Sequence, residues 1–211
     1  MADHMADQDA LSPEKQRQIL DGAGAIFAVD GYGGASMSRI AAEAGVSKGT
    51  LYNYFDGKKA LFTAYVQREC AASLAHFFDG MPADGPPREA LMGLGRRMVE
   101  TLSSEKVIAI YRMVIAEAHT FPELAEVFFE VGPKQSIRRL AQWIETQCRA
   151  GRLAVDDAEF AAEQLFALMQ TKILTRRRLQ LIHTVTPAEI DFVVKAAVDL
   201  FLRGYGTGAA G

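Results

Sequence analysis

A chain of 211 residues with 49% hydrophobic content can bury a sizeable core, as one large domain or two modest ones, which excludes a largely disordered protein. Its formal charge of −3 excludes a protein that coats nucleic acid indiscriminately, because such proteins carry a wide cationic surface. No apolar run approaches the ~18 residues of a membrane span and the start lacks a charged-then-apolar secretion signal, so a cytoplasmic protein with no membrane partner is expected.

Met1 to Ala10 repeats Met-Ala-Asp around His4 and Met5 and reads as an artificial addition ahead of a natural start, so residues 1–12 are expected to form a disordered or added tail outside the fold. The first helix is predicted over 13–30, with Pro13 suited to its first turn and Ile19, Ala23, Ile26 and Phe27 recurring at helical spacing. Gly22 and Gly24 weaken it, each by ~1 kcal/mol relative to alanine. Gly31-Tyr32-Gly33-Gly34 ends it, since glycine enters left-handed backbone without a Cβ penalty. Ser36 caps a second, short helix whose buried side is Ile40, Ala41 and Ala44, and Gly45 stops it. Ser47 caps the next. With only Gly45 and Val46 between the two, they must cross steeply, which is the helix-turn-helix pattern. A fourth helix begins at Gly57 and Lys58, and its stripe of Leu61, Phe62, Tyr65 and Val66 reaches about Phe78.

Met81-Pro82-Ala83-Asp84-Gly85-Pro86-Pro87 forbids a continuous helix and is read as a loop. Helical patterns follow at about 88–102, 105–120, 122–131, 133–150, 156–182 and 187–204, and no segment alternates as a strand would. The fold is therefore expected to be all-α. The domains are placed at 13–60 for the helix-turn-helix, 61–205 for a larger helical domain reached through the long fourth helix, and 206–211 for a second tail. In the last two helices, Leu165, Phe166, Leu168, Met169, Ile173 and Leu174, and Ile190, Val193, Val194, Ala197, Val198, Phe201 and Leu202, are widened by Phe192, Ala196 and Leu200 beyond what a one-sided helix needs. A homodimer through these two helices is the expected use of the extra face. Cys70 and Cys148 have no partner at metal-ligand spacing and read as buried thiols.

Ser47-Lys48-Gly49-Thr50-Leu51-Tyr52-Asn53-Tyr54-Phe55 carries the hydroxyl, ammonium, amide and phenol groups that meet phosphates and base edges. Arg39, Lys48, Lys58 and Lys59 outnumber Glu43 and Asp56 between 36 and 60, so this stretch is locally basic in an acidic chain. Helix N-termini at Ser36, Ser47 and Gly57 offer unpaired amides to phosphate. Lys58 and Lys59 stand in a first turn, where cations are disfavoured, and an anionic partner would resolve the conflict; a solvated charge pair is the plain alternative. The candidate DNA contacts are Ser36, Ser38, Arg39, Ser47, Lys48, Gly49, Thr50, Tyr52, Asn53 and Lys58. Among them Lys48 suits guanine O6 or N7, Asn53 suits adenine, and the Thr50 methyl suits thymine.

These residues resemble the TetR family of bacterial transcriptional regulators. The likeness runs from Ile19 to Phe62: a first helix ending in Phe27-x3-Gly31-Tyr32, then Ser36-Met37-x2-Ile40-Ala41-x2-Ala44-Gly45-Val46-Ser47-Lys48-Gly49-Thr50-Leu51-Tyr52-x-Tyr54-Phe55, then Lys58-x-Ala60-Leu61-Phe62. Val114-Ile115-Ala116-Glu117-Ala118, Phe121-Pro122-Glu123-Leu124 and Gly132-Pro133 resemble the AefR-like C-terminal subgroup. The resemblance implies a repressor that binds palindromic double-stranded operator DNA as a homodimer and is released by a small apolar or amphipathic effector. By the same analogy Tyr52 contacts phosphate while Tyr54 and Phe55 are core. Gly57, Lys59 and Arg39 depart from the family's usual residues and put the operator sequence in doubt.

An effector site between helices would be apolar with a few polar groups. Its candidates are Phe78, Met92, Met98, Tyr111, Met113, His119, Trp143, Phe166, Met169 and Gln170; a helical aromatic or methionine is more often ordinary core, whereas Tyr111, His119 and Gln170 would each need a partner if buried. Two other classes of function remain open. An enzyme would need a nucleophile elbow, a phosphate-cradling loop or a zinc pair, and none is present, so no catalytic residue, cofactor or metal is expected. A protein–protein adaptor would use Arg176-Arg177-Arg178, but cations there already suit the end of a helix.

Overall fold

The computed structural model describes residues 12–208, so most of the two expected tails, 1–11 and 209–211, lies outside the described residues. Helix α1 (Pro13–Gly34) starts on Ser12, whose side chain accepts from the Lys15 N–H. Ser12 thus begins the helix and does not belong to a tail. Gly31 adopts φ 69° and breaks the helical geometry one turn before the end. Helices α2 (Met37–Glu43) and α3 (Lys48–Tyr54) follow, joined through Gly45 at φ 63°. Next come α4 (Lys58–Phe77), α5 (Pro87–Ser103), α6 (Glu105–Glu117), α7 (Pro122–Val131), α8 (Pro133–Arg149), α9 (Ala158–Met169), α10 (Leu174–Arg178) and α11 (Pro187–Tyr205). The only bridge among the described residues joins Leu153 to Gly206, so the expected all-α class is what the chain adopts.

The chain divides into two compact units. One comprises residues up to Glu69 together with Arg112–Phe128, and the other comprises Cys70–Tyr111 with Phe129 onward. The division expected after residue 60 therefore falls at 69, inside α4, and the end of α6 with the start of α7 belongs to the first unit. Neither Cys70 nor Cys148 forms a disulfide, and both are half-buried, not sealed in a core as expected.

In the first unit Ile19, Ala23 and Phe27 of α1 are buried with Ile40 of α2, Leu51 of α3 and Leu61 and Phe62 of α4. Removing side chains of this size from water contributes about 1.5–3 kcal/mol each. Gly22, which local propensity marks as a weakness, is a packing requirement: a Cβ there would lie 2.8 Å from the Ala44 backbone. The edges of Phe62 and Tyr32 meet at 5.3 Å between centroids, and Tyr32 meets Phe121 at 5.0 Å, both in edge-to-face geometry.

The second unit is built on α5, α8, α9 and α11, whose Leu94, Met98, Leu140, Ile144, Leu165, Met169, Val194 and Phe201 form one core. The proline-rich loop before α5 is tied to this core by α8. Trp143 Nε1 donates to the Pro82 carbonyl at 2.9 Å, and the fully buried Gln147 donates to Ala83 at 2.9 Å. The single helix expected over 156–182 is instead two, broken after Met169 by a turn in which Lys172 adopts φ 64°. Beyond the turn, Arg177 ties α10 to its neighbours. Its guanidinium, only 4% exposed, donates to the Ser103 and Ile182 carbonyls and to Glu105, acceptors spread over the end of α5, the start of α6 and the loop after α10. A buried cation needs such partners, and the position of α10 supplies them. The arginine triplet therefore does more than suit a helix end.

Candidate nucleic-acid interface

Helix α3 is held from one side and open on the other. Ser47 caps it, its Oγ accepting from the Thr50 N–H at 2.9 Å and sharing a 2.7 Å hydrogen bond with Thr50 Oγ1. Leu51 is fully buried and Phe55 nearly so, and these two residues anchor the helix. Tyr54 is half-buried, its hydroxyl donating to the Ser12 carbonyl, while Tyr52 is 48% exposed. Lys48, Gly49, Tyr52 and Asn53 are all exposed, and the i to i+4 relation of 48 with 52 and of 49 with 53 puts them on one face. That face presents an ammonium, a bare backbone, a phenol and a carboxamide, a set able to read phosphates and base edges.

On α2, Ser36 caps the helix by accepting from the Arg39 N–H at 3.3 Å, and Ser38 is exposed. Arg39 is exposed too, but its guanidinium pairs with Asp30 of α1. Such surface pairs are worth about 0–1 kcal/mol, so a phosphate can compete for it. Lys58 is placed otherwise than expected. Its ammonium donates to the carbonyls of Tyr32 at 2.7 Å, Gly33 at 3.3 Å and Ala35 at 2.9 Å, and lies 4.6 Å over the Tyr32 ring. All three donors are taken by the carbonyl end of α1, the negative pole of that helix, and this answers the cation conflict without a phosphate. Lys59 remains exposed.

The effector candidates separate into groups. Phe78, Met98, Trp143, Phe166 and Met169 belong to the core of the second unit, with Met92 packed against it. Met113 is buried within the first unit, and His119 stands exposed in the turn after α6. Tyr111 and Gln170 converge on a residue that sequence reasoning passed over, Arg178. Its guanidinium carbon lies 3.9 Å from the centre of the Tyr111 ring, and its Nη2 donates to Gln170 Oε1 at 2.8 Å. Among the described residues no carboxylate pairs with Arg178, and burial pushes its pKa below the usual arginine value. Within a run of three arginines, nothing local distinguishes it.

Between α9 and α11 lies an open groove of about 670 Å³ lined by Gln164, Leu168, Leu200, Phe201, Gly204 and Tyr205. Phe160, Phe192 and Leu200 are at least half exposed on the same two helices. Among the described residues no cluster could hold a metal ion, and no helix is long and apolar enough to cross a membrane.

Comparison with known proteins agrees with this geometry. Residues 19–65 match the model of bacterial regulatory proteins of the tetR family, and residues 89–207 match the C-terminal domain of AefR-like transcriptional repressors. The HTH-type transcriptional regulator UidR of Escherichia coli K12 is 38% identical over 77 residues, 36% of this chain and 38% of that one. The match to curated relatives thus spans well under half of their length. Among solved structures, a TetR-family regulator from Mesorhizobium loti superposes with a TM-score of 0.84 at 27% identity, covering 92% of this chain and 98% of that one. The flavonoid-responsive regulator FrrA superposes with a TM-score of 0.79 at 32% identity, over 93% of this chain and 99% of that one. A motif match over the reading helices, a second match over more than half the chain, and a shared fold lead to one conclusion: the chain is a transcriptional regulator of the TetR family with an AefR-like C-terminal domain.

Proposed function

We propose that this regulator binds palindromic operator DNA as a homodimer, acts as a repressor, and is released by a small apolar or amphipathic effector. The observation that carries the reading is the exposed face of α3, where Lys48, Gly49, Tyr52 and Asn53 stand together on a capped helix anchored by Leu51. In a helix-turn-helix the second helix enters the major groove, and a two-fold protein requires half-sites about 34–36 Å apart or a multiple of that. The apolar faces of α9 and α11, with Phe160, Phe192 and Leu200 exposed, support a second copy as the partner there. An effector would act by binding one arrangement of the dimer better than the other, with the continuous helix α4 as lever. FrrA, described as flavonoid-responsive, supports a ligand that is mostly apolar with a few polar groups.

The test is selection of duplexes from a random library by the purified protein at low salt. A recovered palindrome, bound by a species of twice the monomer mass, is expected; failure to retain any duplex overturns the reading. With the selected duplex, Lys48→Ala should lower the slope of log affinity against log salt by roughly one phosphate equivalent if this ammonium meets the backbone. An unchanged slope with altered base preference would assign Lys48 to a base edge. Native mass spectrometry of protein purified without added ligand then shows whether a compound is retained, and titration of that compound against the duplex measures release.

A further inference from the structure

The polar contacts of Lys58 and of Glu117 meet on one peptide. The Gly33 carbonyl accepts from Lys58 Nζ at 3.3 Å, and the Gly33 N–H donates to Glu117 Oε1 at 2.8 Å. Lys58 also reaches Ala35 at 2.9 Å, and this closes a loop, because the helix-turn-helix is entered from Ala35 and left at Lys58. One ammonium therefore staples the two ends of the reading motif to each other and to the last turn of α1. Glu117 anchors that turn from 84 residues away, at the end of α6, in the stretch that matches the C-terminal family model. Its approach is close: a Cβ on Gly31 or Gly33 would lie 3.2 or 3.3 Å from Glu117 Oε1, so the carboxylate would have to shift by a few tenths of an ångström. Tyr32 lies beneath the same turn, with its ring against Phe62 and Phe121, so the polar link rests on an aromatic seam.

We infer that Glu117 is a positioning residue for DNA binding: its carboxylate fixes the last turn of α1, and through Lys58 it sets the angle at which α3 is presented. The inference rests on the DNA-binding reading above. It assigns part of the reader's geometry to a residue more than fifty positions beyond the motif, one that touches no DNA itself.

The test compares Glu117→Ala, Glu117→Asp and Glu117→Gln in the full chain, using a duplex selected by the wild-type protein. Glu117→Ala should weaken binding about tenfold, the scale of one charge-assisted hydrogen bond, and Glu117→Asp should do the same because the shorter side chain withdraws the acceptor. Glu117→Gln should stay within about threefold of wild type, since its amide oxygen accepts from the same N–H. The salt slope should be unchanged in all three, because no phosphate contact is lost. Hydrogen exchange at amides 31–35 should quicken in the alanine and aspartate variants only. Combining Glu117→Ala with Lys58→Ala should cost less than the product of the two losses, because both act through one turn. Affinity equal to wild type in the alanine and aspartate variants overturns the inference, as does a glutamine variant as weak as alanine. Failure of the wild-type protein to hold any duplex is a different result, since it removes the DNA-binding reading itself.

Discussion

The two compact units solve the problem of placing polar groups in opposite ways. In the unit that contains α3, the described polar side chains are exposed or, like Lys58 and Glu117, half-buried, and the interior below them is aromatic and aliphatic, with Leu51 and Phe62 fully buried. In the other, Gln147 and Arg177 are buried and each holds a loop by hydrogen bonds to backbone carbonyls. The difference teaches where each unit can change. A surface of exposed side chains on a capped helix can be altered residue by residue with little effect on the fold, whereas a loop held by a buried polar group moves only if that group finds new partners.

The strongest way to break this comparison is to cut the interior of each unit in turn. Leu51→Ala and Met98→Ala should each cost about 2–5 kcal/mol in denaturant unfolding, but only the first should abolish duplex binding by the protein that remains folded. If Met98→Ala abolished binding equally under conditions where it is folded, the units would not be separable in function. A smaller effect sharpens the capping argument: Ser47→Ala should lower stability by about 1 kcal/mol, measured by urea unfolding. It should weaken duplex binding more than that loss alone, because the start of α3 frays.

The smallest effect concerns pH and lies on α11. Hydrogen bonds from Lys195 and then Arg88 hold the Asp199 carboxyl down to about 2. A carboxyl whose folded pKa is depressed adds stability above its ordinary pKa and loses it as pH falls toward 2, so the acid limb of the stability profile should flatten slightly in Asp199→Asn. Asp199 is half-buried but its partners Lys195 and Arg88 reach solvent, which keeps the effect small. A steeper acid limb in the variant would contradict the assignment.

Much of the reading motif was legible because its determinants are local. Ser36 and Ser47 cap within three residues, Gly45 turns the chain where it stands, and the buried side of each short helix recurs at helical spacing. The placement of Lys58 was not legible, for the complementary reason. Its acceptors lie 23 to 26 residues back, so the sequence exposes its charge but not the carbonyls that receive it. The role of Arg177 was hidden likewise, since its partners in α5 and α6 lie 74 and 72 residues away. Gly22 illustrates a third kind of gap. Propensity sees the flexibility of glycine and not the neighbour at 2.8 Å that forbids anything larger. Of the polar effector candidates, Tyr111 and Gln170 share a partner, Arg178, which carries no pattern of its own, while His119 is exposed.

Trp143 is the one tryptophan of the chain, and its indole is 9% exposed with its N–H bound to the Pro82 carbonyl. The protein therefore carries its one indole in a single unit, while Tyr52 and Tyr54 of α3 lie in the other. Its emission, excited at wavelengths that tyrosine does not absorb, follows the clasp between α8 and the proline-rich segment, so a red shift on adding a compound would signal that this clasp has opened to water, with no dye attached and no signal from the tyrosines of α3.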